Sequence, residues 1–279
     1  MIAFIGTVFS PYYAWARRRG GGDPLQHAAV NVALYGSGGK HWSMTERGRG
    51  AVQRDATTLQ IGPSALEWDG TSLTIRIDEV AVPLPVRIRG TVRVHPQALA
   101  GQPYRLDAAG RHHWTPIAPC ARVEVALDRP SLRWSGNGYL DSNKGDEPLE
   151  AAFKRWDWSR AALRRGTAVL YDVTRRDGAG PLMGLRFDPS GGVEPFDPPP
   201  FVTLPGTSWR VQRGTRADAG RGARVVETLE DTPFYARSVL ETHLLGETAT
   251  AVHESLCLDR FRSTWVQALL PFRMPRALR

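Results

Sequence analysis

The stretch Arg122–Gly145, "RVEVALDRPSLRWSGNGYLDSNKG", holds two short alternating runs, Arg122 to Leu127 and Leu132 to Tyr139, on either side of a break containing Pro130. Alternation of this period sends every second side chain to one face, which is the mark of a half-buried strand rather than a helix. The pattern recurs outward in both directions. Towards the N-terminus lie Val30 to Tyr35, His41 to Glu46, Leu73 to Asp78 and Arg87 to Val94. Towards the C-terminus lie "FKRWDWSRAAL" from Phe153, Thr167 to Thr174, Leu182 to Phe187, Ser208 to Gln212, Ala223 to Leu229, Phe234 to His243 and Thr248 to Leu256. Gly, Pro and Asp bound most of these runs, and helical periodicity is nearly absent. The reading is an all-β chain of antiparallel barrels or sandwiches, in which the closing of sheet edges is the governing constraint. The polar stretch around Asp146 to Glu150 separates two series of strands and predicts domains over 1–147 and 148–279.

Three segments stand apart from the strands. "EPFDPPPFVTLPG", from Glu194, reads as a long, stiff proline-rich crossing. "WARRRGGG", Trp15 to Gly22, is the densest cluster of cations and reads as a mobile loop. "LDRFRSTWVQALL", Leu258 to Leu270, has the one helical pattern, with Phe261, Trp265, Ala268 and Leu269 on one side. It predicts a helix closing a barrel end, with a helix lying on a membrane surface as the alternative.

Composition narrows the class. With 279 residues, 42% hydrophobic and 23% charged, the chain can bury two ordinary cores. No apolar run approaches the roughly 18 residues of a membrane span, and the opening lacks the features of a secretory signal, so a cytoplasmic location is expected. A net charge of +8, carried almost wholly by Arg, favours polyanions, either nucleic acid or an anionic membrane face. Nucleic acid is not expected, because the arginines are scattered and no aromatic, glycine-rich RNA motif accompanies them. Cys120 and Cys257 fit no metal or redox spacing and read as reduced, buried thiols. The histidines show no zinc spacing, and "GSGGK" at Gly36 to Lys40 lacks the full phosphate-loop pattern, fitting a hairpin turn better.

Tyr139 and Asp141 are two apart at the end of a strand run and so share a face. Taken alone, Asp141 before Ser142, Asn143 and Gly145 is a good turn former, its carboxylate capping backbone N–H groups. Trp114 and Tyr139 equally read as core aromatics, and His112 with His113 as a solvated pair. Asp23 with His27, and Glu46 with Arg47, are weaker candidates for the same cavity. Tyr171 and Asp172 are adjacent, cannot face one pocket together, and read as structural.

A collinear set of runs carries a resemblance that covers most of the chain: "FIGTVFSPYYAW", "DPLQHAAVNVALYG", "WSMTERGRGA", "GYLDSNKGDEPLE", "WDWSRA", "VLYDVTRRDG" and "DRFRSTWVQALLPFRMPR". Together they resemble the carotenoid 1,2-hydratase family, also called hydroxyneurosporene synthases. The resemblance implies tandem lipocalin-like β domains, no cofactor and no metal. It implies addition of water across the terminal C1–C2 double bond of acyclic carotenes such as neurosporene and lycopene, giving a tertiary alcohol; because such a substrate lives in a bilayer, peripheral docking on the membrane is expected, and the arginines with exposed aromatics such as Trp15 would suit it. The family's essential side chains map to His112, Trp114, Tyr139 and Asp141. The wider superfamily's Asp-His-Asn-Trp-Gly motif departs here to Asp141-Ser142-Asn143-Lys144-Gly145, keeping the acid, Asn143 and Gly145. A protonated, buried Asp141 would be the acid, the faces of Trp114 or Tyr139 would stabilise the cation, and His112 would orient water and accept its proton. An isoprenoid or lipid carrier on the same fold is the alternative, since fold alone does not fix a reaction.

Overall fold

A computed structural model of the chain describes residues 1–36 and 39–277. Nearly every alternating run becomes a strand, often longer than its pattern: Leu73–Val80, Arg87–Pro96, Phe153–Leu163, Gly166–Arg175, Tyr235–Leu244 and Glu247–Cys257 among them. The two runs of the deciding stretch lie in the longest strands, His112–Arg129 and Leu132–Gly145. The all-β expectation holds, with antiparallel sheets and short C-terminal helices.

Contacts divide the chain into two compact units. The first comprises Met1–His95, Arg122–Gly136 and Gln267–Arg279, and the second Pro96–Ala121 and Asn137–Val266. Each unit therefore draws on more than one stretch of chain, whereas the sequence reading places a single cut after residue 147.

In the first unit, Ile2–Ile5, Ala28–Leu34 and His41–Arg47 form a three-stranded sheet in which Leu34 lies opposite His41. The hairpin reading of "GSGGK" includes Ser37 and Gly38, which lie outside the described residues. Ala29, Met44 and Met274 form a small core packed by Phe4, Phe9 and Trp42. Contrary to the loop reading of "WARRRGGG", Pro11–Arg18 is a helix. The Ser10 hydroxyl accepts the Tyr13 amide at 2.9 Å and Pro11 opens the first turn, a start signal that outweighs the glycines at 20–22, which only come after the helix.

The second unit is organised by a seven-stranded sheet in the order Val193–Phe196, Gly178–Phe187, Gly166–Arg175, Phe153–Leu163, Glu247–Cys257, Tyr235–Leu244, Ala223–Asp231. Its register sorts the side chains. Trp158 is opposite Tyr171 and Glu254, while Asp157 is opposite Asp172 and Ser255. At these positions one face therefore carries Trp158 and Tyr171 and the other Asp157, Asp172 and Ser255, with Ala161, Ala168, Leu170 and Ala251 forming an apolar core further along that second face, and Tyr171 and Asp172 point to opposite sides as their adjacency requires. The ends 112–121 and 137–145 of the long hairpin belong to this unit and carry His112, Trp114, Tyr139 and Asp141.

Two expectations change here. Ser208 to Gln212 is no strand: Thr207 to Arg210 form a tight turn with Arg210 at φ 57°, and the strand begins at Arg213, pairing with Phe201–Leu204 of the proline-rich segment. The tail forms two helices, Leu258–Phe261 and Thr264–Arg273, so Phe261 is out of phase with the second helix. Phe261 is buried against Phe234, but Trp265, Ala268 and Leu269 face solvent, and it is Val266, Leu270 and Met274 that are buried. Both cysteines are free thiols, Cys120 buried and Cys257 only partly so.

Candidate active site

Asp141 is the centre of the site. The Trp114 indole N–H donates to its Oδ2 at 2.8 Å, and the Tyr139 hydroxyl donates to the same oxygen at 3.0 Å. Both donors converge on one oxygen because the strands set them there: Tyr139 is two residues before Asp141 on one strand, and Trp114 lies on the long strand paired with it. Among the described residues no arginine pairs with Asp141. Burial lifts its pKa to about 6, working against the two hydrogen bonds, and the nearby charge of Glu254 lifts it further. The carboxyl is thus fixed in orientation by Oδ2 and left with Oδ1 to carry a proton. Tyr139 is pushed well above the usual phenol range by burial and by the Asp141 charge, so its hydroxyl stays a donor.

Aromatic rings wall this carboxyl. Trp114 is fully buried and packed by Tyr171 at 5.0 Å, Tyr104 at 5.4 Å and Phe187 at 6.4 Å. Tyr139 and Trp158 lie 5.5 Å apart, and both keep some exposure. The Tyr171 hydroxyl donates to Asn143 Oδ1 at 2.8 Å, tying the strand after Asp141 to the aromatic sheet face. Arg160 lies over the Tyr139 ring at 5.6 Å and donates to the Gly138 carbonyl at 3.1 Å.

His112 sits in a different setting from the one its sequence role anticipates. Its Nδ1 is 3.0 Å from Asp107 Oδ2, and its Nε2 is 3.3 Å from the Glu147 carbonyl oxygen. Both nitrogens face acceptors and the ring is 1% exposed, so no lone pair is offered to a water molecule. Burial acts to raise the Asp107 pKa, but the Arg111 and His112 amides and the imidazole overcome it and hold the carboxyl at about 2. The ring packs edge-on to Phe153 at 4.9 Å, and a Cβ on Gly145 would stand 2.8 Å from its Cδ2. His112 therefore fastens the end of the Leu132–Gly145 strand, and Gly145 is small because that imidazole occupies the space.

The remaining candidates fall elsewhere. His27 and Glu46 meet at 3.0 Å in the first unit, with Arg276 also on Glu46. Arg47 pairs with Glu79 at 2.7 Å, Asp23 with Arg49 at 2.7 Å, and Asp172 with Arg216 at 2.9 Å. On the polar sheet face, burial raises Asp157 to about 6 and lowers His253 to about 4.

The whole chain, residues 1–279, matches the family model described as carotenoid hydratase CrtC. The chain belongs to the carotenoid hydratase family. The acyclic carotenoid 1,2-hydratase of Thiocapsa roseopersicina is 63% identical over 277 residues, covering 99% of this chain and 68% of that protein. The enzyme of the same name from Rubrivivax gelatinosus is 52% identical over 278 residues, with 99% and 68% covered. Among solved structures, one assigned as an AttH of Nitrosomonas europaea superposes with a TM-score of 0.63 at 16% identity, covering 83% of this chain and 81% of that one, a likeness of fold alone.

Within this carotenoid hydratase, three of the four residues singled out from sequence, Trp114, Tyr139 and Asp141, form one hydrogen-bonded group, while His112 lies in a neighbouring one. Sequence reasoning missed Trp158, Tyr171 and Asp107. "WDW" at 156–158 did contain a signal, since residues two apart in a strand share a face and two indoles on one face make a wall. Tyr171 joins that wall only through strand register, and Asp107 reaches His112 only through the chain's return, so neither announced itself.

Proposed function

We propose that the chain hydrates the terminal C1–C2 double bond of an acyclic carotene, with Asp141 as the acid. The observation that carries this reading is the convergence of Trp114 and Tyr139 on Oδ2 of a carboxyl whose pKa is lifted to about 6. An isolated alkene is a poor base and accepts a proton only from a strong, well-placed donor. Oδ1–H transfers its proton to C2, the π pair forms the new C–H bond, and C1 becomes a tertiary cation. Water bonds to C1 through oxygen, and the proton it sheds returns to the Asp141 carboxylate, so the acid is regenerated. No oxidant or reductant enters this balance.

The faces of Trp114 are occupied by other rings, so that indole positions the carboxyl. The cation's aromatic neighbours are Tyr139 and Trp158, whose rings retain exposure. A desolvated cation over such a face gains about 2 kcal/mol, roughly thirtyfold in rate, and the rest must come from the acid and a preorganised, dry site. Once Asp141 is ionised, its carboxylate is placed to take the water proton, which relieves His112 of that role.

Asp141→Asn tests the reading: hydration of lycopene dispersed in detergent, followed by chromatography of the hydroxylated product, is expected to fall by on the order of 10²–10⁴-fold. Activity equal to the parent's removes Asp141 from the mechanism, and a pure carrier shows no product from either protein.

A further inference from the structure

A row of four side chains crosses the large sheet of the second unit on the side that faces Asp141. Tyr171 is opposite Trp158, Trp158 is opposite Glu254, and Glu254 is opposite Arg237. Their strands, Gly166–Arg175, Phe153–Leu163, Glu247–Cys257 and Tyr235–Leu244, are consecutive neighbours, so all four side chains share one face. Tyr171 and Trp158 belong to the aromatic wall. Next to them stands a carboxylate that the hydration step leaves unused.

Arg237 fixes the pose of that carboxylate. Its Nε donates to Glu254 Oε1 at 2.9 Å, and its Nη2 lies 2.7 Å from the same oxygen. The guanidinium stands one strand further from Trp158, so the pair turns its negative end to the aromatic wall. Both side chains are largely buried, 24% exposed for Glu254 and 16% for Arg237. The flanking positions on this face are Val252 and Leu256 beside Glu254, and Tyr235 and Val239 beside Arg237. An ion pair set among such groups gives up hydration and contributes little over apolar residues of the same size. Stability does not account for it.

A charge at this place acts on the reaction twice. Burial is the main cause of the raised Asp141 pKa, the two hydrogen bonds oppose it, and Glu254 is the charged group that adds to it. Burial and the Asp141 charge raise Tyr171, and Glu254 adds to them as well. The other titratable or charged groups about these carboxyls are Tyr104, Tyr139, Tyr235, Arg160 and, opposite Arg237, Glu230. The negative charge of Glu254 keeps the proton on Asp141 until the alkene takes it. It then attracts the cation that forms beside Trp158, whereas the neutral alkene gains nothing, and only such selective stabilisation speeds the step. We propose that Glu254, oriented by Arg237, is the electrostatic partner of Asp141, a fixed negative charge beside Trp158 that favours the tertiary carbocation over the neutral polyene. This role deepens the hydratase reading and rests on it. Glu254 is a positioning residue that acts through its charge and exchanges no proton.

Glu254→Gln removes the charge while keeping the shape and an acceptor for Arg237. With detergent-dispersed lycopene its kcat is expected to fall by on the order of 10-fold to 30-fold, and the pH above which kcat/KM declines to move down by about one pH unit. Glu254→Asp alters the shape and keeps the charge, so its decline begins where the parent's does. A merely structural role predicts the reverse order, with Gln the milder change. If the Gln variant loses its melting transition, Glu254→Met/Arg237→Met replaces the pair by apolar side chains, and is expected to fold and to show the same acid shift. Isotope-edited infrared titration of the Asp141 carboxyl reads the coupling without turnover. A pH profile and an infrared titration that stay put in Glu254→Gln, or that move equally in Glu254→Asp, overturn the proposal. A parent that forms no hydroxylated product removes the hydratase reading instead, and the infrared shift then decides whether this charge governs Asp141.

Discussion

At the scale of single residues, one proton on Asp141 is expected to govern both activity and stability. Its pKa in the folded state, about 6, lies above the ordinary 3.8, so the folded protein holds that proton more tightly than the unfolded chain does. The stability this supplies is complete below about 3.8 and is lost as the pH rises through 6. Asn at this position keeps an acceptor for Trp114 and Tyr139 but never ionises. Asp141→Asn should therefore be inactive yet gain stability relative to the parent between pH 4 and pH 7.5, by on the order of 2 kcal/mol after allowing for partial solvation, as read from melting curves at the two pH values. In the proposed mechanism, catalysis tracks the same proton. kcat/KM should be level below pH 6 and fall about tenfold per unit above it, and a profile flat from 5 to 8 counts against Asp141 as the acid. His112 belongs to a different group, held by Asp107 and the Glu147 carbonyl. Replacing it by Asn, or crowding it with Gly145→Ala, is expected to lower kcat and the melting temperature while leaving the pH limb where it stands. A limb that moves with His112 returns that residue to the proton path.

At the scale of elements, the site is a product of strand alternation. Phe153–Leu163 presents Trp158 to the side of Asp141 because Asp157 takes the other side, and the register with Gly166–Arg175 then brings Tyr171 to the same wall. Trp158→Leu should cost roughly thirtyfold in kcat and Trp158→Phe much less, since the face of the ring and not merely its bulk meets the cation. The register depends on the turn between the two strands. Gly166 sits at φ 106°, and a Cβ there would stand 2.0 Å from the Phe187 carbonyl oxygen. Gly166→Ala is therefore expected to destabilise the fold by about 1–3 kcal/mol, measurable as a lowered urea midpoint. Much of this level is legible in the sequence, because period-two alternation identifies strands and their faces. What pattern cannot supply is which strands become neighbours. The Pro11–Arg18 helix shows the converse case, where Ser10-Pro11 spelled a helix start and the run of arginines and glycines after it obscured the message.

At the scale of the whole molecule, the two ends of the chain meet in the first unit. Glu46 is fully buried, its carboxylate shared by His27 and Arg276, and its backbone N–H and C=O bond to Pro275 and Ala277. Arg276→Ala leaves a buried carboxylate without its guanidinium and is expected to cost about 3–5 kcal/mol, readable by calorimetry. Nothing in "MPRA" near the C-terminus advertises this contact, because its partner lies 230 residues earlier. The net positive charge, by contrast, is visible in the composition at once.

The sequence by itself determined that the chain is built of antiparallel strands, that Tyr139 and Asp141 share a face, and that the ordered set of motifs belongs to one family, since these are properties of neighbours along the chain. Tertiary structure alone decided that Asp141 accepts from Trp114 and Tyr139 through a single oxygen, that His112 is enclosed by Asp107 and a carbonyl, and that the apolar stripe of the last helix looks outward. The physical reason is one of range. Alternation and turn chemistry act over a few residues, whereas desolvation of a carboxyl and burial of a helix face depend on groups that folding brings from distant parts of the chain.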